Sequence, residues 1–133
     1  MKLILASASP RRIELLTLAG YTFEVCPTDA DETPDPRETP AEYVQRVALA
    51  KALRRTSDER CLVTYERTVV TFDELSEDWI ADYVASGEPF GKAGAYAIQG
   101  RAGTRITRIE GNYQNVVGLP VSTVNRLLAV LHS

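Results

Sequence analysis

Two serines, a proline and two arginines crowd into Ser7-Ala8-Ser9-Pro10-Arg11-Arg12, directly after the apolar residues Leu3, Ile4 and Leu5. Hydroxyls, guanidinium groups and the unpaired N–H groups at the positive end of a helix are what binds a phosphate. The same residues also read as an ordinary capped helix with two solvated arginines, so this stretch alone does not decide between the two.

Three further places carry candidate chemistry. Pro27 to Glu38 is rich in proline and acid, and its Asp29, Asp31 and Glu32 offer the hard oxygens that Mg²⁺ prefers, or a general base, or merely a solvated loop. Lys51 follows Val47 by one helical turn, which puts its ammonium beside a packed stripe, where it either snorkels to water or meets a phosphate. Gly87 to Gly100, GEPFGKAGAYAIQG, combines backbone freedom with Lys92 as a point charge and Gln99 as a two-way hydrogen-bonding amide. A long surface loop is the plain alternative there.

Other chemistries are disfavoured. The single histidine, His132, is next to the last residue, so a histidine-based catalytic device is not expected. Cys26 and Cys61 are far apart in sequence and form neither a zinc motif nor a disulfide framework, which fits a reduced, cytoplasmic setting. With 15 basic and 18 acidic residues the net charge is −3, which argues against a broad nucleic-acid footprint and leaves anion binding to local clusters. No apolar run reaches membrane-spanning length, and the first residues read as a strand rather than a leader, so no membrane partner is expected.

The elements that must position these groups follow from local signals. The stretch from Lys2 to Leu18 reads as strand, polar loop and helix, with Ser9 at the N-cap, Pro10 at the first helical position, Leu15, Leu16 and Ala19 as the buried stripe and Gly20 as the stop. Tyr21 to Cys26 is a second strand that could lie beside the first. Thr39-Pro40-Ala41-Glu42 has capping-box spacing and opens a helix to about Arg55, with Tyr43, Val44, Val47, Ala48 and Leu53 inward. Thr56 to Arg60 reads as a turn and Cys61 to Phe72 as one strand, or as one broken near Glu66-Arg67. Ser76 caps a helix carrying Trp79, Ile80, Tyr83 and Val84, which Gly87 ends. Thr104 to Ile109 and Tyr113 to Val117 read as a hairpin around Gly111-Asn112, and Val124, Leu127, Leu128 and Leu131 mark a last helix. A chain of 133 residues without a linker is expected to form a single domain, 1–133.

Taken together and in order, SASPRR, DADETP, EYVQRVALAKA, YVASGEPFGKAGAYAIQG and NYQNVVGLP resemble the Maf family of nucleoside triphosphate pyrophosphatases. The resemblance covers most of the chain. It implies an α/β fold of the house-cleaning pyrophosphatase type, with a mixed sheet and flanking helices, and metal-dependent hydrolysis of a nucleoside triphosphate to monophosphate and pyrophosphate. It implies that Ser7, Ser9, Arg11 and Arg12 cradle phosphates, that Glu32 serves the metal (Mg²⁺ or Mn²⁺) and the water, and that Lys51 and Lys92 neutralise charge. It implies that Arg11 and Gln99 help choose the base, and the IQG ending is similar to the subgroup acting on dTTP and UTP.

The sequence also departs from the family pattern. Between about Arg55 and Cys61 it passes from KALRRTSDER to CLVTYERTVVTF, without the family's Gly-Ala-Asp-Thr and Gly-Lys-Pro motifs. The first of these carries the family's presumed catalytic aspartate. Gly91 stands where many relatives have aspartate. The second expectation is therefore a catalytically impaired nucleotide-binding protein or an inactive, shortened member, unless Asp58 or Glu59 of the shortened connection substitutes for the missing aspartate. A narrowed sheet would leave edges open to a second copy of the chain, a homodimer.

Overall fold

A computed structural model describes residues 3–53 and 61–132. The connection at 54–60, with Asp58, Glu59 and the expected turn, lies outside the described residues, as does Lys2. The fold is α/β, in two compact units: Met1–Glu66 with Val121–Ser133, and Arg67–Pro120.

In the first unit, β1 (Leu3–Leu5) leads through α1 (Pro10–Leu18) to β2 (Phe23–Val25), and the strands pair in parallel, Leu3 with Phe23 and Leu5 with Val25. Parallel neighbours need a crossover, and α1 supplies it. The Cys26 amide extends the pairing by donating to the Leu5 carbonyl at 2.9 Å. Then come α2 (Pro40–Leu53) and, at the end of the chain, α5 (Val121–His132). Among the described residues of this unit Leu15, Leu16, Val47 and Val121 are the buried apolar ones, so α1, α2 and α5 each contribute to the core. Ala19 and Ala48, expected inward, are exposed, because Ala19 falls at the C-cap of α1 and the buried side of α2 centres on Val47. Val44 is likewise 45% exposed.

The capping box of α2 closes in both directions. The Thr39 amide donates to Glu42 Oε2 at 2.7 Å while the Glu42 amide donates to Thr39 Oγ1 at 3.3 Å. This fixes where α2 begins, and with it the register of every residue the helix presents.

The second unit holds β3 (Val69–Phe72), α3 (Glu77–Ala85), a 3₁₀ turn at Arg101–Arg105, β4 (Ile106–Glu110) and α4 (Tyr113–Val117). Strands β3 and β4 pair antiparallel, Val69 with Glu110 and Val70 with Ile109, with an irregularity at Thr71/Phe72. Ser76 caps α3 by accepting the Trp79 amide at 3.2 Å. Tyr83 is 5% exposed and stacks on Trp79, ring centres 5.0 Å apart, while Phe72 meets Tyr96 edge-on at 5.1 Å.

Two strand expectations are corrected. Only Val69–Phe72 of the Cys61–Phe72 run is strand. Tyr113–Val117 is a helix rather than the second arm of a hairpin, because the Asn112 side chain accepts the Asn115 amide at 3.1 Å and starts a helical turn. The partner of β4 is β3, so Gly111, at φ +121°, turns the chain out of a strand into a cap.

Candidate functional site

At the carboxyl end of β1, Ser9 occupies the N-cap of α1 with φ −62° and ψ 117°, and Pro10 follows at the first helical position, but the Ser9 hydroxyl makes no capping bond. The Ser9 carbonyl instead accepts the Arg12 and Ile13 amides at 3.1 and 3.2 Å, which leaves the hydroxyl out of the helix start. Ser7 Oγ accepts the Ser9 amide at 3.2 Å and an Arg12 guanidinium N–H at 3.4 Å, so Ser7, Ser9 and Arg12 form one connected set. Arg11 pairs with Glu14 of its own helix at 3.0 Å, with side chains 52% and 60% exposed. A pair so exposed contributes only about 0–1 kcal/mol, so it does little to hold Arg11 in place.

The acidic loop is fastened to α2 by three residues of that helix. Lys51 Nζ lies 2.6 Å from Glu32 Oε1, the lysine side chain 18% exposed and the glutamate 55%. The Tyr43 hydroxyl donates to the Glu32 carbonyl at 2.9 Å. Arg46 grips Glu38 with two N–H groups at 2.9 and 2.6 Å and donates to the Thr33 carbonyl at 3.0 Å. The Arg46 guanidinium, opposed by burial and aided by the Asp35 amide, holds the Glu38 carboxyl below the usual glutamate range. Hydrogen bonds from Thr33 do the same for Asp31. Of the expected site residues, Glu32 and Lys51 are thus brought into direct contact.

Among the described residues no three His, Cys, Asp or Glu side chains converge on a point, and Glu32 faces an ammonium group. Mg²⁺ commonly binds through one or two carboxylates and the phosphates of its nucleotide.

In the second unit Lys92 Nζ donates to the Glu88 carbonyl at 2.6 Å, and Gln99 is exposed. Gly91 sits at φ +73°, in the left-handed region that glycine enters freely and that aspartate and asparagine tolerate better than most residues. A glycine in place of an aspartate is therefore conformationally consistent at this turn.

Sequence reasoning passes over Arg46 and Glu88. The signal for Arg46 was a loop bearing Asp31, Asp35 and Glu38 that needed a cation from the helix following it. For Glu88 it was a carboxylate beside a run of glycine-rich backbone whose N–H groups needed acceptors.

Comparison with known proteins agrees with this arrangement of motifs. The family profile described as Maf-like protein matches residues 2–63 and 52–131, two pieces that overlap. The chain is 36% identical over 183 aligned positions to a dTTP/UTP pyrophosphatase of Citrifermentans bemidjiense, covering 97% of this chain and 95% of the relative. The dTTP/UTP pyrophosphatase of Geobacter sp. strain M21 is 38% identical with the same coverage. That of Syntrophotalea carbinolica is 37% identical over 188 positions, covering 96% of this chain and 86% of the relative. Alignments of 183 positions for a chain of 133 residues mean that these relatives carry residues with no counterpart here. No helix among the described residues is long and apolar enough to cross a membrane. With a profile matched over nearly its whole length and full-length relatives above 30% identity, the chain belongs to the Maf family.

Proposed function

We propose that this chain is a nucleoside triphosphate pyrophosphatase that takes dTTP, UTP or a related non-standard nucleotide, as its Mg²⁺ or Mn²⁺ complex, to the monophosphate and pyrophosphate. The observation that carries the reading is the 2.6 Å contact of Lys51 with Glu32, formed by a helix and an acidic loop of the family pattern. The names of the relatives support the substrate class.

Phosphoryl transfer asks a protein mainly to position groups and neutralise charge. The Ser7, Ser9 and Arg12 set, joined by Arg11, cradles the phosphates. Lys51 is the movable charge: a polyphosphate gives its ammonium a second partner and releases the Glu32 carboxylate. Water then bonds to the α-phosphorus, its proton passes to Glu32, and the bond from the α-phosphorus to the bridging oxygen breaks with pyrophosphate leaving. The family resemblance gives Lys92 a charge-neutralising role and makes Arg11 and Gln99 contributors to the choice of base.

A second reading, a nucleotide-binding protein impaired in turnover, is favoured by the absence of a three-carboxylate cluster among the described residues and by the two-piece profile match. Binding calorimetry and a pyrophosphate-release assay with dTTP and UTP separate the two. Heat of binding with pyrophosphate release supports the enzyme, binding alone supports the second reading, and neither at millimolar nucleotide removes both.

A further inference from the structure

Glu88 makes more contacts than its place in the Gly87–Gly100 stretch requires. Its carboxylate accepts the Tyr83 hydroxyl at 2.9 Å, the Arg101 amide at 2.9 Å and the Ala102 amide at 3.2 Å. Its carbonyl accepts Lys92 Nζ at 2.6 Å. The Tyr83 hydroxyl also accepts the Ala97 amide at 3.2 Å, two residues before Gln99. One residue therefore anchors the lysine through its main chain, and the backbone on both sides of Gln99 through its side chain and Tyr83.

Gly100 fits the same design. A Cβ there would stand 2.5 Å from Glu88 Oε1, although the backbone, at φ −109°, would accept any residue. The glycine is needed for the close approach of the carboxylate, not for its own conformation. Arg101 and Ala102 open the 3₁₀ turn Arg101–Arg105, whose first N–H groups have no partner within the turn. A carboxylate placed against them satisfies those donors and locks the start of the turn to the residue that holds Lys92.

We propose that Glu88 is a positioning residue of the nucleotide site, fixing Lys92 and Gln99 relative to each other by anchoring both ends of the loop that carries them. The proposal rests on the pyrophosphatase reading for the roles of Lys92 and Gln99, while the anchoring itself can be tested without nucleotide. Glutamine at position 88 keeps the size of the side chain but sets an NH₂ group against backbone donors. Alanine at position 100 pushes the carboxylate away while Glu88 is retained.

The experiment uses wild type, Glu88→Gln, Gly100→Ala, Lys92→Ala and the Glu88→Gln/Lys92→Ala double variant, each first shown to melt cooperatively. Amide hydrogen exchange at Arg101 and Ala102 reports the anchoring, and kcat/KM with dTTP reports its consequence. Faster exchange at both amides in Glu88→Gln and Gly100→Ala is expected, with kcat/KM lowered about ten- to a hundredfold. Lys92→Ala should then cost much less in the Glu88→Gln background than in wild type, because the loop carrying the lysine is no longer pinned to the 3₁₀ turn even though the carbonyl of residue 88 remains. Unchanged protection of the two amides overturns the anchoring. Losses that multiply independently in the double variant overturn the positioning role and leave Glu88 as a structural residue. A wild type without turnover, but with exchange altered as expected, refutes the enzymatic reading while the anchoring stands.

Discussion

Lys51 Nζ and Glu32 Oε1 lie 2.6 Å apart, and the two residues come from a helix and a loop separated by the whole capping box of α2. The lysine is the more buried partner. Its ammonium is thus held next to the acidic loop, where the proposed charge exchange needs it.

Glu32→Ala and Lys51→Ala should therefore separate activity from stability. The pair is partly exposed, so each change should alter unfolding free energy by about 1 kcal/mol or less in urea titration. Turnover of dTTP should fall by about 10²-fold or more, the scale of lost general-base assistance. Parallel losses in both measurements would mean that the pair serves the fold alone.

Arg46→Ala should loosen the acidic loop without touching Glu32 itself. In the folded protein the Arg46 guanidinium depresses the Glu38 carboxyl, so that stabilisation is present above the usual glutamate range and is lost as pH falls through the lowered value. A carboxyl NMR titration should find Glu38 below its ordinary value in wild type and shifted up toward it in Arg46→Ala, where the Asp35 amide still lowers it. A Glu38 titration that does not move would refute the clasp.

Thr39→Ala tests what sets the start of α2. Removing the side chain takes one arm of the capping box and should cost about 1 kcal/mol in thermal or urea unfolding. Glu42→Ala should cost a similar amount, since the Thr39 amide loses its 2.7 Å acceptor.

Gly103→Ala and Gly100→Ala should behave differently although both positions are tight. At Gly103 a Cβ would lie 2.1 Å from the Ile98 carbonyl oxygen, which is backbone and cannot step aside. A cost of about 1–3 kcal/mol is expected there. At Gly100 the obstacle is the end of the Glu88 side chain, so stability should change less than loop order does. Equal destabilisation at the two positions would contradict this distinction.

The parts of the fold legible in the sequence are those decided within one helical turn. Thr39 with Glu42 and Ser76 before Trp79 announce a helix start through groups that touch one another, Ser9-Pro10 does so through the fixed backbone of proline alone, and the three helices begin where those residues place them. Pairing over distance was less legible. Alternation around Gly111-Asn112 suits a hairpin as well as a strand followed by a cap, and the choice fell to the Asn112 side chain and to β3, more than thirty residues earlier. Spacing indicated Glu32 and Lys51 separately and said nothing of their contact, because that contact depends on how Arg46 and Tyr43 fold the loop back. Glu88 was hidden for a related reason: its partners are main-chain amides, which leave no mark in the pattern of side chains.

The most direct measurement is turnover of dTTP or UTP by the wild-type chain with Mg²⁺ or Mn²⁺ in ¹⁸O-labelled water. Attack at the α-phosphorus puts the label in the nucleoside monophosphate and leaves the pyrophosphate unlabelled. Label in the pyrophosphate, or no product from any nucleoside triphosphate, would contradict the proposed reaction.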